Sequence, residues 1–276
     1  MMVTARALRE QTRKAVCERI EMCEKRGGVS ASLFLDTELN DALPRTKCLF
    51  FFGGKRKWKG LLSVFYPAKE QAEFTVAVAE QDETVLPALF RAAIKECRKW
   101  GVEECYTVVN PAGGFRLPEK GAVRFSYSHS EYFLCRETAE LVVAERQTDA
   151  GNPTEKTEKG ITQNITVQKS EVPDEPVRYL LSVNGEEAAE CFLSPFDGGA
   201  GWYLYHLETK EEYRRQGLAT RLICEVARDI AAQGGKVLRL QVSSKNVPAE
   251  RLYRKLGFGT EEQRDYYRST EISVSV

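Results

Sequence analysis

Apolar residues recur at helical spacing in several stretches and alternate as in strands in many more. Leu8, Ala15, Val16, Ile20 and Cys23 predict a helix over 5–26, closed by Gly27-Gly28. The runs 48–54, 60–66 and 72–80 read as strands. Leu86, Leu89, Phe90, Ala93, Ile94 and Cys97 share one face of a helix at about 84–100, which Gly101 ends. A strand at 104–110 follows, and 123–137 supplies one or two more. The pattern then lapses. Between 145 and 163, Ala150 and Ile161 are the only clearly apolar residues, so this stretch cannot bury a core and reads as a linker or exposed loop.

Strand spacing resumes at 165–171, 177–184, 187–195 and 201–209, with Asn184-Gly185 marking a hairpin turn. Leu222, Ile223, Val226, Ala227 and Ile230 line a helix that starts near Gly217 and stops at Gly234-Gly235. A strand at 236–243, a short helix at 248–258 and a strand-like tail complete the chain. Pro248 suits the first turn of that short helix and Gly257 its C-terminal cap. A shift of 133 residues carries Leu89 onto Leu222 and Gly101 onto Gly234. Both halves then run strands, helix, glycine, strand, which is the pattern of a duplicated α+β domain. The expected organisation is a first domain at 1–144, a linker at 145–163 and a second domain at 164–276.

Composition narrows the function classes. The 276 residues are 42% hydrophobic and 29% charged, with 40 basic residues against 40 acidic ones. No global field draws the chain to nucleic acid or to an anionic membrane. No run of 18 apolar residues predicts a membrane helix, and the charged N-terminus has no signal-peptide core. The eight cysteines are scattered without a CxxC, and there are two histidines, so no metal site is expected. A reducing cytoplasm is the expected setting. The cluster GGKRKWKG at 53–60 reads as a solvated hairpin tip, so nucleic acid is not expected as a partner. His129 reads as a strand-surface residue.

The chemistry concentrates in EEYRRQGLATRL, residues 211–222. A helix start presents unpaired amides and the positive end of the helix dipole, which together bind phosphates. Gly217 lets the backbone approach a ligand, small Ala219 does the same, and Arg214 and Arg215 add charge suited to a pyrophosphate. Neither standard nucleotide loop is present.

With strand 201–209 before it and strand 236–243, Asn246 and ERLYRKLGF (250–258) after it, this segment resembles the GNAT superfamily of acyl-CoA-dependent N-acyltransferases over about residues 177–268. The resemblance implies two tandem GNAT-like domains, each a mostly antiparallel twisted sheet flanked by helices. It also implies acetyl-CoA as cofactor. Its pyrophosphate falls to the loop and first turn: Arg214, Arg215, Gln216, Gly217, Leu218, Ala219 and Thr220. The pantetheine arm falls along Leu207, Glu208 and Thr209, and Asn246 and Tyr253 form the other half of the site. The implied activity is transfer of an acetyl group to a primary amine of a small molecule or peptide, by direct attack on the thioester in the C-terminal domain.

By the same resemblance, Tyr253 is the acid beside the sulfur, and Tyr203 and Tyr205 line the acceptor side. Strand 4 of the family often carries the base. Glu208 and His206 are the candidates, although plain alternation puts both on the face away from Tyr203 and Tyr205 unless a bulge shifts the phase. A tyrosine-lined pocket with a water relay is equally consistent with the sequence. In the first half, Gln81-Asp82-Glu83-Thr84-Val85-Leu86 stands where Arg214 to Ala219 stand in the second. Thr84 replaces the glycine, and two acids sit where phosphates would lie, so 1–144 reads as a degenerate copy without its own acetyl-CoA. A catalytically silent acyl-CoA-binding regulatory protein is the alternative, because strand 201–209 lacks an obvious base. A nucleic-acid-associated modifier acting through 53–60 is a third reading. A monomer or a homodimer fits either of the first two.

Overall fold

The computed structural model describes residues 2–5, 10–31, 33, 47–53, 59–68, 71–79, 84–119, 123–142, 164–173 and 175–270. In chain order the first half contains β1 (Met2–Ala5), α1 (Glu10–Glu24), β2 (Lys47–Gly53), β3 (Gly60–Ala68), β4 (Gln71–Val78), α2 (Val85–Lys99), β5 (Glu104–Val109) and β6 (Arg124–Glu137). The second half contains β7 (Ile165–Ser170), β8 (Val177–Val183), β9 (Glu186–Phe196), β10 (Gly201–Thr209), α3 (Leu218–Ala232), β11 (Val237–Ser243), α4 (Val247–Lys255) and β12 (Gly259–Thr270). No helix among the described residues is long and apolar enough to cross a membrane.

Two compact units emerge. One is Met1–Glu131 together with Gln263–Val276; the other is Tyr132–Glu262. The chain leaves the first unit inside β6 and returns to it inside β12. The expected domains, 1–144 and 164–276, placed the whole tail with the second half. The second part of β12 instead pairs antiparallel with β5, from Asp265↔Val109 to Arg268↔Tyr106, and this counts it into the first unit. The expected linker, 145–163, lies outside the described residues.

In the first unit the strand order is β1-β2-β3-β4-β5-β12-β6. Neighbours from β1 to β4 are antiparallel, and β4 and β5 are parallel from Gln71↔Glu104 to Phe74↔Thr107. Within the helix expected over 5–26, α1 is described from Glu10 to Glu24, residues 6–9 lie outside the described residues, and Met2–Ala5 forms a strand paired with β2. The stretch 123–137 forms one strand. α2 buries the six residues its spacing predicted, Leu86 to Cys97, against β3 and β4 through Leu62, Val64, Phe74 and Val76. Each such side chain contributes about 1.5–3 kcal/mol by leaving water.

Beyond Phe74 the two parallel strands part, and the chain itself occupies the gap. Gly27 (φ +67°) turns the chain out of α1, and Val29 bridges Ala77 in antiparallel fashion. Ser30, fully buried, then bonds to both strands. Its N–H donates to Val76 O (2.9 Å), and its C=O accepts from Asn110 N–H just past β5. Because that carbonyl is taken by β5, the Ser30 hydroxyl accepts from Val76 N–H (2.9 Å) in its place. Ser30→Ala leaves the Val76 amide buried without an acceptor, at a cost of about 1–3 kcal/mol. Hydrogen exchange at Val76 is expected to quicken correspondingly, with protection in α3 unchanged.

The second unit repeats the plan. Its sheet runs β6-β11-β10-β9-β8-β7, and β10 and β11 are its parallel pair, from Gly201↔Val237 to Leu204↔Leu240. The 133-residue shift carries α2 onto α3 end for end. Paired residues across the helical crossover are 33 positions apart in the first copy and 36 in the second, so β10 sits three residues out of step with β4. The hairpin at Asn184-Gly185 forms as expected, with both residues at positive φ (53° and 89°). α3 packs Leu218, Leu222, Ile223, Val226 and Ile230 onto Tyr179, Leu181, Cys191 and Leu193 of the sheet. Tyr179 hydroxyl and Lys169 Nζ (2.9 Å) both bond the Asp229 carboxylate and tie α3 to β7 and β8. Those donors hold Asp229 below the usual carboxylate range despite the opposing effect of its burial.

Candidate active site

The site grows from β10. Its pairing with β9 runs regularly as far as Tyr205↔Phe192 and resumes at Glu208↔Glu190. Three steps on β10 thus match two on β9, which is a β-bulge at His206-Leu207. His206 takes φ +50°, the left-handed conformation that such a bulge uses. The bulge inverts the alternation. Leu204 and, three residues on, Leu207 both turn to the core under α3.

On the other face the bulge brings together what plain alternation separates. The Phe192 ring lies 6.1 Å from Tyr205, nearly parallel at 25°, and 5.6 Å from His206. His206 Nε2 stands 3.7 Å from Glu190 Oε1 and 3.6 Å from Glu208 Oε2. Plain alternation would put His206 and Glu208 away from Tyr205; the bulge is the phase shift that the sequence left open, and it brings them to the Tyr205 face. Glu190 is a member of this group that the sequence did not single out. Its only signal is its place on β9, two residues before Phe192. Arg178 holds its other oxygen through Nε (2.8 Å) and Nη2 (2.7 Å). Tyr205 hydroxyl meets Ser194 Oγ (3.3 Å), and Tyr203 hydroxyl donates to Gln241 Oε1 (3.4 Å).

Past Leu204↔Leu240 the strands β10 and β11 part, as β4 and β5 do. Among the described residues, no bridge like that of Val29 joins them. The loop after Thr209 leads to the start of α3. Gly217 caps that helix at φ +79°, and a Cβ built there would meet nothing within 4 Å. Glycine is thus favoured by the backbone conformation, and its face is open. The first bond at this helix start is Arg221 N–H to Gly217 O (3.0 Å). The amides of Leu218, Ala219 and Thr220 come before it and lack intrahelical acceptors. Arg214 Nε donates to Thr209 O (3.0 Å), which ties the loop to the end of β10. Gln216 Nε2 donates to Glu212 O (3.0 Å), so its side chain folds back into the loop. Arg215 is exposed, at φ +64°.

α4 closes the other side. Asn246, an exposed residue, caps it by accepting Ala249 N–H on Oδ1 (3.3 Å). Tyr253 is 6% exposed and lies edge-on to Phe258 at 5.8 Å. Burial, with Cys191 nearby, pushes its phenol up to about 12, so it stays protonated at any neutral pH.

The first unit lacks these features where they are described. Thr84 caps α2 in a right-handed conformation (φ −95°), and Leu86 is buried where Ala219 stands. Residues 81–83, with the two acids, and 54–58 of the basic cluster lie outside the described residues. His129, expected on the strand surface, has a side chain only 14% exposed. It stacks on Tyr266 at 4.7 Å and sits 3.4 Å from Glu131.

Comparison with known proteins bears on this geometry. Residues 182–268 match the family model described as FR47-like protein. No curated protein matches the chain. Among solved structures, a GCN5-related N-acetyltransferase from Sphaerobacter thermophilus aligns over the whole of this chain and 97% of its own, with a TM-score of 0.60 and 13% identity. A tandem GNAT protein from the clavulanic acid biosynthesis pathway, solved without AcCoA, aligns over the whole chain and 99% of its own, with a TM-score of 0.56 and 14% identity. A GNAT-family acetyltransferase from Colwellia psychrerythraea aligns over 98% of this chain and all of its own, at 0.51 and 12%. At such identities these three likenesses concern the fold alone, and one of the three proteins is itself described as tandem.

Proposed function

We propose, on the premise that residues 182–268 are an FR47-like acyltransferase segment within a tandem GNAT fold, that the chain transfers an acetyl group from acetyl-CoA to a primary amine. The observation that carries this reading is the continuity of three features along one stretch of chain. A gap opens between β10 and β11 beyond Leu204, a bulge lies at His206-Leu207 on β10 beside it, and a glycine-capped helix start whose first amides lack intrahelical acceptors follows eight residues after Thr209, the end of β10.

The amides of Leu218, Ala219 and Thr220, at the positive end of α3, suit the pyrophosphate, with Arg214 and Arg215 adding charge. Leu207, Glu208 and Thr209 lie along the gap, where the pantetheine arm fits. Acetyl-CoA supplies the activated acyl group. The chain supplies proton handling on either side of it. Tyr253, held protonated, is the acid for the leaving thiolate. The Glu190–His206–Glu208 group is where the ammonium of the acceptor gives up its proton, with Arg178 fixing Glu190 in place. Tyr203 and Tyr205 border the acceptor on this face.

The first unit has its corresponding gap bridged by Ser30, so one acetyl-CoA per chain is the expected stoichiometry. Calorimetric titration with acetyl-CoA tests both points together with coenzyme A release in the presence of a panel of amines. One site and amine-dependent release support the proposal. One site with no release from any amine favours a silent acyl-CoA-binding protein instead, and two equal sites mean that Ser30 does not close the first gap.

A further inference from the structure

We infer that the acceptor at this site is a cationic alkylamine carrying no carboxylate next to its nitrogen. The inference rests on the reading above for where the amine stands, and the charge pattern of that face supplies the rest.

Two cations of the described face are held closely by carboxylates: Arg178 by Glu190 (2.7 Å) and Arg239 by Glu261 (2.6 Å). Lys210 lies 4.0 Å from Glu187. Arg239 also lies over the Phe196 ring at 4.8 Å. Glu208 is the carboxylate left over. It is 58% exposed and has His206 as its neighbour at 3.6 Å, a separation too long for a hydrogen bond. Glu190 Oε1, at 3.7 Å from the same nitrogen, is in a similar position.

Two carboxylate oxygens and an imidazole nitrogen thus converge, all within 4.8 Å of one another. Three N–H donors on one small cation match that arrangement, which is the donor set of a primary ammonium. Beside it, the near-parallel rings of Phe192 and Tyr205 offer an apolar and π-rich wall. Such a wall attracts the ammonium and covers the methylenes next to it. An α-carboxylate on the acceptor would be brought beside Glu208 and Glu190, with Arg178 and Arg239 already engaged. Like charges brought together repel, so the face disfavours it. Because His206 lies between both carboxylates, the same groups that select the ammonium are placed to take its proton.

The test uses pairs of amines that differ only by the carboxylate: 1,5-diaminopentane against lysine, and 2-phenylethylamine against phenylalanine. Binding to the whole chain is measured by calorimetry with and without coenzyme A, and turnover with acetyl-CoA. In each pair the carboxylate-free amine is expected to bind and react at least about tenfold better. Glu208→Gln, and separately Glu190→Gln, are expected to narrow that gap by weakening the amine more than the amino acid. Equal or better binding of the amino acids overturns the inference, as does an unchanged gap in both variants or a failure of every amine to bind. If coenzyme A itself does not bind, the acetyl-transfer reading fails on its own, while the amine pairs still decide this inference.

Discussion

Gly217→Glu is expected to raise the dissociation constant for acetyl-CoA by more than about 100-fold, which corresponds to about 2.7 kcal/mol. Two effects act together. A residue with a Cβ must be forced to φ +79°, which costs about 1–2 kcal/mol or else moves the cap of α3. The new carboxylate also stands among the amides of Leu218 to Thr220 and competes with phosphate for them. Crowding of the Cβ itself contributes nothing, because a Cβ at this position meets no atom within 4 Å. Gly217→Ala isolates the backbone effect and is expected to lose less than the glutamate does. The first unit, with its own core of Leu62, Phe74, Leu89 and Phe90, should melt unchanged in both variants. Normal binding by Gly217→Glu in calorimetry would mean that the loop does not hold the pyrophosphate.

The second large effect is expected for Tyr253→Phe, which removes one oxygen and leaves the ring against Phe258. Turnover should fall by about 10²–10⁴-fold, the range that a positioned proton donor supplies. Affinity for acetyl-CoA should change little, since the ring remains and the phenol is uncharged when bound. The direction of the Tyr253 shift matters here. A phenol pushed up to about 12 keeps its proton throughout the neutral range. Titration of Tyr253 therefore contributes nothing to the pH dependence of activity in that range. Equal kcat in the two proteins would remove Tyr253 from the acid role.

The sequence made much of this legible because periodicity and glycine placement act locally. The six buried residues of α2 and the cap at Gly217 needed only spacing and backbone conformation. What it concealed depends on partners far along the chain. The bulge in β10 is a mismatch between two strands, so nothing within GWYLYHLET announces that His206 and Glu208 turn toward Tyr205. Glu190 looks like any other acid of a strand until Phe192 and His206 are placed beside it. Ser30 follows a helix stop as an ordinary loop residue, and its bonds to Val76 and Asn110 span 46 and 80 positions. The N-terminal strand was missed because four residues carry too little alternation to compete with the helix that follows.

The crossing of β12 between the units bears on how the protein is made. A ribosome delivers the chain from its N-terminus, and domains ordinarily fold as they emerge. Here the strand that pairs with β5 includes Asp265 to Arg268, so the first unit waits until the second has been synthesised before its sheet can be completed. Until then the edge of β5 and the ring sites that Tyr266 and Tyr267 will fill stay open on a nascent polypeptide. The half translated first is thus finished last. Its exposure to aggregation or chaperone capture is set by the time needed to synthesise the second unit.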